Sequence, residues 1–258
     1  MELLKYEKDY AVHVYETGPD GKLALYSLFD YFQDIASDHA VKLGYGRDDL
    51  LRQNNFWVLS RIYVEISDWP QWGNNIIIRT WPRGTDKIFA LRDYEVRYSD
   101  GRIIAAATSS WVIVDRNTKR VQRPDNTLSK YNSGLPPEKA LPRNAMKLEP
   151  DASHGQNKAI FNVRVSDLDV NLHTNNVRYL KWIIDSYDLD FVLNNVPISA
   201  EINYLAESHH NENISVMVSE DRDLTNYYIH SIIRISDNTE LCRVKIGWKN
   251  NNNEKINN

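Results

Sequence analysis

The order of predicted elements occurs twice along this chain, and this internal repeat restricts the possible folds more than any other feature. In the first half, an alternating stretch at 10–16 precedes a turn and a run of apolar residues at helical spacing over 24–44. In the second half, an alternating stretch at 160–165 precedes a polar loop and a second helical pattern over 177–191. We therefore expect one domain fold used twice, since so long a period does not suit a solenoid.

Each helical pattern is followed by apolar residues in alternation, which predicts an antiparallel meander. The predicted strands cover 57–67, 75–81, 91–99 and 102–115 in the first half, and 198–207, 213–220, 227–236 and 240–248 in the second half. Trp111 and Trp248 occupy corresponding places near the ends of the two final strands. A sheet beside one long helix can wrap around it, and two such sheets can cover their edge strands by joining. The sequence therefore predicts an α+β fold, a pseudo-dimer of two tandem helix-in-sheet repeats.

Composition sets the boundaries of the repeats. We assign residues 1–121 to the N-terminal repeat and 159–249 to the C-terminal repeat. Residues 122–158 between them are polar and contain five prolines, a composition typical of a connecting segment. The tail at 250–258 is rich in asparagine, and we expect it to be disordered.

The composition also excludes several classes of protein. The formal net charge of −4 offers no overall attraction to nucleic acid or to an anionic membrane, so any basic docking surface must be local. Cys242 is the only cysteine, which rules out an intramolecular disulfide and a cysteine-rich metal site. The opening residues lack the apolar core of a signal peptide, and no stretch reaches the length of a membrane span. We expect a cytoplasmic protein that binds neither nucleic acid nor membrane.

The segment DLDVNLHTNN (167–176) places an acid, an amide and an imidazole on alternate residues just before the second helix. If the segment is extended, Asp169, Asn171 and His173 face a common space, while the leucines and the valine between them face the protein. The start of a helix adds free backbone N–H groups and a partial positive charge, which suit a developing oxyanion. This composition is typical of a hydrolytic site.

A purely structural role is the alternative, because the same residue types occur in any loop that caps a helix. Thr174 and Asn175 are cap-type residues, as expected for the first turn of a helix. The equivalent loop of the first half, ETGPDGKLALY (16–26), keeps the turn but has neither His nor Asn. The polar series is therefore not needed to start the helix, which favours the functional interpretation.

A resemblance to a known family rests on three stretches of the sequence: DLDVNLHTNNVRYLKWIIDS (167–186), WVLSRIYVEISDWPQWGNNIIIRTW (57–81) and SSWVIVDRNTKRVQRP (109–124). Together they resemble the acyl-ACP thioesterases, which release fatty acids from acyl carrier protein (ACP). The resemblance implies a double hotdog fold, in agreement with the repeat, and hydrolysis of fatty acyl-ACP to free fatty acid and ACP. Hydrolysis of acyl-CoA at the same site and a non-catalytic acyl-binding module are the alternatives.

The resemblance also implies the residues of the site. Carried over to this sequence, the family's catalytic positions are Asp169, Asn171, His173 and Glu207. Plant members carry a cysteine after the last acid, whereas this chain carries Ser208, so we do not expect a thiol nucleophile. Ser208, Thr174 and Asn175 are expected to support the site.

A thioester is already activated toward water, so the site needs a base, a partner for the oxyanion and a proton for the leaving thiolate. Glu207 is the candidate base for the attacking water, with His173 ordering that water or relaying its proton. Asp169 would orient His173 and fix its tautomer, or share the role of base. Asn171 and the helix start would bind the carbonyl oxygen. The roles of the two acids and the histidine are interchangeable at this point.

For the acyl chain, the resemblance implies a place against the first-half helix and sheet, with Phe32 and Trp57 as candidate contacts. ACP is acidic, so docking on this net negative chain requires a local basic face. The candidate docking residues are Arg116, Lys119, Arg120, Arg178 and Lys181. We expect no cofactor and no metal, because the adjacent His209 and His210 would face opposite ways on a strand. The repeat suits a monomer as well as a homodimer.

Overall fold

The computed structural model describes residues 4–124, 135–136, 138–150 and 155–251. Within these ranges the helices are α1 (Leu25–Lys42), α2 (Arg47–Arg52), α3 (Asn176–Asp185) and α4 (Leu189–Asn194). The strands are β1 (Tyr6–Ala11), β2 (Asn55–Ile66), β3 (Asn75–Asp86), β4 (Phe89–Tyr98), β5 (Ile103–Asp115), β6 (Val121–Gln122), β7 (Gln156–Asn162), β8 (Asn195–Tyr204), β9 (Asn213–Glu220), β10 (Tyr227–Arg234) and β11 (Thr239–Asn250). Short 3-10 turns at Val14–Glu16 and Val165–Asp167 precede α1 and α3.

The strands form one antiparallel sheet of eleven strands that spans both halves. On its main path the order is β1-β3-β4-β5-β2-β8-β11-β10-β9-β7, and β6 pairs with β5. β2 and β8 join the halves through five residue pairs, from Arg61 opposite Asn203 to Glu65 opposite Ser199. This joint covers one edge strand of each half. The predicted pseudo-dimer of two helix-in-sheet repeats is confirmed.

The helix α1 is central to the first half because its apolar residues recur at steps of three and four. Leu28, Phe32 and Ile35 lie on this face and are at most 2% exposed. Phe32 packs against Tyr94 of β4, with ring centroids 4.7 Å apart. Burial of a side chain of this size contributes about 1.5–3 kcal/mol, so this face fixes α1 against the sheet.

The helix of the second half is shorter than the sequence pattern predicts. The single helical pattern over 177–191 is divided into α3 and α4. At the break, the N–H and the Oγ of Ser186 both donate to the carbonyl of Ile183, at 3.1 and 2.7 Å. Asp188 then precedes the first residue of α4. A serine that bonds back to the preceding turn competes with continuation of the helix, and apolar spacing does not report this competition.

The alternating pattern predicts the first strand of each half too late in the sequence. The predicted strands cover 10–16 and 160–165, whereas β1 ends at Ala11, β7 ends at Asn162, and a 3-10 turn follows each. In both halves a backbone N–H before the turn donates to a carboxylate three residues later, at 2.8 Å. This local bond favours the turn over a strand. The other eight predicted strands coincide with β2 to β5 and β8 to β11, apart from their ends.

Residues 138–150, which we call the covering segment, run across the sheet and contact both halves. In the first half, the N–H of Ala140 donates to the carboxylate of Asp93 on β4 at 2.9 Å. In the second half, Arg143 forms a bidentate ion pair with Glu201 on β8 at 2.8 and 2.9 Å. The covering segment has no helix or strand, and these contacts make it part of the packed fold.

The predicted repeat boundaries fall near the ends of strands. β6 lies at the boundary of 1–121, and β7 begins three residues ahead of the predicted start at 159. β11 and the residue after it reach 251, and the rest of the predicted tail lies outside the described residues. Within the described ranges, no helix is long and apolar enough to cross a membrane.

Candidate active site

The second-half loop, residues 168–175, reverses the chain between its 3-10 turn and α3. Leu168 and Thr174 pair as an isolated antiparallel bridge. The reversal requires a left-handed residue, and Leu172 adopts this conformation with a φ of 64°. Val170 is 80% exposed and Leu172 is 72% exposed, so the expectation that both face the protein is wrong. Alternation fails here because the chain turns instead of staying extended.

Asp169 stabilises this reversal from within. Its Oδ1 accepts the backbone N–H groups of Asn171 and His173, at 2.7 and 3.3 Å. Its Oδ2 accepts the side-chain amide of Asn171 at 3.3 Å. The sequence predicts that Asp169 orients His173 or shares the role of base; in the structure its carboxylate accepts bonds from the backbone N–H groups of Asn171 and His173 and from the side-chain amide of Asn171. Asp169 therefore positions the residues on either side of the turn.

The carboxylate beside the imidazole is that of Glu207, just beyond the end of β8. The Nδ1 of His173 lies 3.4 Å from the Oε1 of Glu207. Both side chains are reachable from solvent, with 33% of His173 and 51% of Glu207 exposed. The structure thus brings together the loop histidine and an acid that is distant in sequence.

Ser208 is fully buried behind this pair. Its Oγ donates to the Oγ1 of Thr174 at 2.7 Å and lies 2.9 Å from the hydroxyl of Tyr179. Burial raises the pKa of Tyr179, which keeps its hydroxyl neutral. Ser208 therefore connects the end of β8 to the loop through Thr174 and to α3 through Tyr179. Tyr179 is not among the site residues predicted from the sequence.

Asn175 caps α3 and links it to the first half. Its Oδ1 accepts the N–H of Val177 at 3.0 Å and the side-chain amide of Gln33 on α1 at 3.1 Å. Gln33 is not among the site residues predicted from the sequence, because a contact between residues 142 positions apart leaves no pattern in either segment. The N–H groups of Thr174 and Asn175 also have backbone acceptors. These two backbone N–H groups are therefore not available to a substrate, and the side-chain amide of Asn171 is the better candidate donor for a carbonyl oxygen.

Two neighbouring cavities meet at this loop. The wider one, about 790 Å³, is lined by the second-half loop, Glu207 and the start of β2. The narrower one, about 240 Å³, lies between α1 and the first-half sheet and is lined by Ala36, Ala40 and Trp111 among others. Asn171 and Gln33 line both cavities. The polar site therefore opens directly onto a mainly apolar space in the first half.

The predicted substrate contacts are divided by the structure. Trp57 lines both cavities, and its Nε1 donates to the carbonyl of Tyr45 at 2.9 Å. Phe32 instead packs in the core against Tyr94 and is not among the described residues that line either cavity. Its proposed role as an acyl contact is therefore corrected to a role in packing.

The five candidate docking cations also separate into two groups. Arg116 and Lys119 line the wider cavity, and Arg120 is exposed beside them. Arg178 and Lys181 lie on α3 and are half-buried toward α1. The charge of Arg178 acts on Asp30, and the Nζ of Lys181 lies 6.0 Å from the ring of Tyr26. These two cations therefore serve the contact between the helices.

His209 follows Ser208 and extends the polar set. Its ring lies 5.0 Å from that of His173 between centroids, in an edge-to-face arrangement. Among the described residues, His173, Glu207 and His209 form a group whose nitrogen and oxygen atoms could hold a metal ion. The sequence-based prediction about metal ligands concerns only the adjacent pair His209 and His210. It does not include this group because His173 lies in a separate segment from Glu207 and His209.

Family models match both halves of the chain. The acyl-ACP thioesterase N-terminal domain matches residues 3–131, and the acyl-ACP thioesterase C-terminal domain matches residues 151–250. The chloroplastic oleoyl-acyl carrier protein thioesterase of Coriandrum sativum is 25% identical over 85% of this chain and 64% of that protein. The chloroplastic oleoyl-acyl carrier protein thioesterase 2 of Arabidopsis thaliana is 26% identical over 95% of this chain and 76% of that protein. The chain thus spans about two thirds to three quarters of these relatives.

Solved structures share the whole fold. An acyl-ACP thioesterase from Bacteroides thetaiotaomicron matches with a TM-score of 0.81 at 23% identity, over 96% of this chain and 100% of that chain. The 12:0-ACP thioesterase from Umbellularia californica matches with a TM-score of 0.83 at 21% identity, over 96% of this chain and 98% of that chain. At these identities the likeness establishes the fold, and the double hotdog fold expected from the sequence is confirmed.

Proposed function

The chain belongs to the acyl-ACP thioesterase family, and from that premise we propose that it hydrolyses the thioester of fatty acyl-ACP to free fatty acid and ACP. The observation that carries the proposal is the position of Asn171. This residue stands between the pair formed by His173 and Glu207 and the narrow apolar cavity of the first half. A thioester held there would have its carbonyl beside the polar groups and its acyl chain in the cavity.

In the proposed mechanism, Glu207 takes the proton of the attacking water. His173 orders that water, receives the proton from Glu207 across their 3.4 Å contact and donates it to the leaving thiolate as the C–S bond breaks. Asn171 donates to the carbonyl oxygen as negative charge develops on it. Asp169 keeps Asn171 and His173 in place through their backbone N–H groups. Loss of this support should misplace both groups.

The acyl chain is proposed to occupy the narrow cavity, with Trp57 at the junction of the two cavities. The small side chains Ala36 and Ala40 of α1 leave room for methylene groups along the helix. Burial of each methylene contributes about 0.8 kcal/mol, so a chain that fills the cavity binds best.

Docking of ACP is proposed to use Arg47, Arg116 and Lys119, which line the mouth of the wider cavity. Opposite charge steers an acidic partner toward this side, and the effect weakens as salt rises. A single chain already contains both halves and their joint, so we propose that one chain is the functional unit. The cytoplasmic location stays a prediction.

A ladder of acyl-ACPs and acyl-CoAs tests the activity, with free fatty acid as the readout. Release from acyl-ACP at a kcat/KM above that for acyl-CoA of equal chain length supports the proposal. Faster release from acyl-CoA would favour the alternative carrier, and binding without release would favour an acyl-binding module.

Charge-reversal variants test the docking surface separately from the chemistry. We expect Arg116→Glu and Lys119→Glu to raise KM for acyl-ACP by about tenfold, the effect of losing a charged contact at an interface. The neutral acyl-N-acetylcysteamine thioester should be cleaved as in the wild type. Arg222→Glu, in the exposed turn between β9 and β10, makes the same change in net charge and is the control. Equal effects of all three variants would contradict the proposed surface.

A further inference from the structure

We propose that His173, Glu207 and His209 form a binding site for a divalent transition-metal cation, best suited to Zn²⁺, and that the bound cation inhibits hydrolysis. The metal-binding atoms of these three side chains all lie within 4.8 Å of one another. The site itself rests on geometry, whereas the inhibition rests on the proposed function, because it requires His173 and Glu207 to act in the reaction.

The three side chains are the ligand types that zinc prefers. Imidazole nitrogens and carboxylate oxygens bind Zn²⁺ at about 2.0–2.2 Å, and two His with one Glu leave a fourth position for water. Two ligands at that distance from a tetrahedral ion lie roughly 3.3–3.5 Å apart. The Nδ1 of His173 and the Oε1 of Glu207 are 3.4 Å apart, so these two already stand at the separation that an ion requires. A rotation of the exposed His209 side chain completes the set.

The backbone that carries the three ligands is fixed. The N–H of Thr174 donates to the carbonyl of Ser208 at 2.9 Å, and the hydroxyl of Ser208 donates to that of Thr174 at 2.7 Å. These bonds hold the residue after His173 against the residue between Glu207 and His209. The N–H of His209 also donates to the carboxylate of Glu212 at 3.0 Å. Binding of an ion therefore orders side chains alone, which lowers its entropic cost.

The first half shows that this ligand set is not imposed by the fold. The equivalent backbone positions there carry Lys22, Trp69 and Gln71, none of which is a good ligand for zinc. Lys22 and Gln71 form an isolated bridge, so the same two segments are adjacent in that half as well. Three ligands in the second half and none in the first indicate a property of this particular site.

An ion bound in this way would occupy the atoms that the reaction needs. Coordination by the Oε1 of Glu207 draws negative charge toward the cation and makes the carboxylate a weaker acceptor for the proton of water. Coordination by the Nδ1 of His173 holds the ring in one orientation. The cation would therefore act as a reversible inhibitor that competes with proton transfer.

Metal binding is measured first, without any substrate. Tag-free protein, stripped with a chelator, is titrated with Zn²⁺ by calorimetry and with Co²⁺ by visible absorption. We expect one ion per chain, with affinity lower by about tenfold or more in His209→Ala, because loss of a ligand should cost at least as much as loss of a group that orients one. His210→Ala changes the adjacent residue of the same type and should bind as the wild type does. Absence of binding in the wild type, or equal binding in both variants, would overturn the site.

Inhibition is measured next, as the ratio of hydrolysis with and without Zn²⁺ for each protein. We expect the Zn²⁺ concentration for half inhibition to rise by about tenfold or more in His209→Ala and to stay unchanged in His210→Ala. Binding without inhibition would overturn the inhibitory part of the proposal. If no protein cleaves acyl-ACP at all, the proposed function fails, while the calorimetric comparison still decides the metal site.

Discussion

The first-half loop, residues 17–24, and the second-half loop have the same backbone conformation but carry different side chains. In both, the N–H of the second residue donates to the carbonyl of the sixth at 2.8 Å. In both, the fifth residue is left-handed, with φ values of 76° and 64°. The alternate positions hold Gly18, Asp20 and Lys22 in the first half, and Asp169, Asn171 and His173 in the second. The turn therefore does not require the polar set, which leaves chemistry as its explanation.

The residue that lies opposite each loop also differs between the halves, being apolar in the first half and acidic in the second. The N–H of Leu23 donates to the carbonyl of Pro70 at 2.8 Å, in the place of the bond between Thr174 and Ser208. Trp69 therefore occupies the position of Glu207. It is 7% exposed, and its Nε1 donates to the carbonyl of Pro197 at 2.8 Å. An indole fills the space where the second half holds an acid, so we infer one active site per chain.

The largest effect on activity is expected from loss of the residues that only the second half has. His173→Ala and Glu207→Ala should each lower kcat for acyl-ACP by about a hundredfold or more, the usual scale for loss of a proton-transfer group. Both side chains are partly exposed, so the melting temperature should stay close to that of the wild type. Lys22→Ala alters the equivalent first-half position and should retain activity. Turnover near the wild-type rate in a folded His173 or Glu207 variant would disprove the assignment.

A buried histidine should make the stability of the second-half core sensitive to acid. His230 of β10 is fully buried, and its Nε2 is hydrogen-bonded to the hydroxyl of Tyr187 at 2.7 Å. Burial lowers the pKa of His230 to about 3. Below its ordinary pKa of about 6.5 the unfolded chain takes up a proton that the folded chain does not, so stability falls as pH falls through this window.

From pH 7 to pH 5 this residue should remove about 2 kcal/mol from the free energy of unfolding. His230→Gln keeps an acceptor for Tyr187 and does not titrate, so the loss attributable to this site should disappear. Urea unfolding at the two pH values measures the difference. The same pH dependence in the variant and the wild type would contradict the assignment.

A smaller effect is expected when the second-half loop is given the first-half residue. Asp169→Gly copies Gly18 and removes the acceptor for two backbone N–H groups. The loop should still form, as it does in the first half, but kcat should fall by about tenfold because Asn171 and His173 are less well held. Asp169→Asn keeps an acceptor and should lose less. Equal losses in the two variants would indicate that the charge matters more than the positioning.

The smallest effect is expected at the cysteine. Cys242 is fully buried in β11, and burial raises the pKa of its thiol well above the ordinary value. Iodoacetamide should therefore leave hydrolysis by the native protein unchanged. Cys242→Ala should keep most of the activity, with a loss of about 1 kcal/mol or somewhat more in stability from the small cavity. An acyl group trapped on Cys242 or on Ser208 during turnover would contradict direct attack by water.

The sequence predicts the large features of the fold because they depend on periodicity. Two meanders and two helices follow from apolar spacing repeated over many residues, and the joining of sheet edges follows from the need to cover edge strands. The errors arise where a local side-chain bond competes with that spacing. Ser186 ends α3 through the carbonyl of Ile183, and the turn at Leu172 redirects Val170 to solvent. Such bonds involve one or two atoms and leave periodicity unchanged.

The site is predictable only in part, for a related reason. The resemblance supplies Asp169, Asn171, His173 and Glu207, but their contacts depend on how separate segments meet. Gln33 reaches Asn175 from the other half, and His209 comes close to His173 through the bond between two loops. No spacing within one segment encodes these approaches. The division of roles that we propose for the two acids therefore rests on distances and not on the motif.

The joint between β2 and β8 has a consequence for how the chain is made. During synthesis, the first half emerges before β8 exists, and the edge of β2 that will meet β8 then has no partner. At about 5–20 residues per second, the interval until residue 204 is complete lasts roughly 5–20 s. An open edge in that interval can pair with another nascent chain. Slow translation of the connecting residues should therefore lower the yield of folded protein, whereas a chaperone that covers strand edges should restore it.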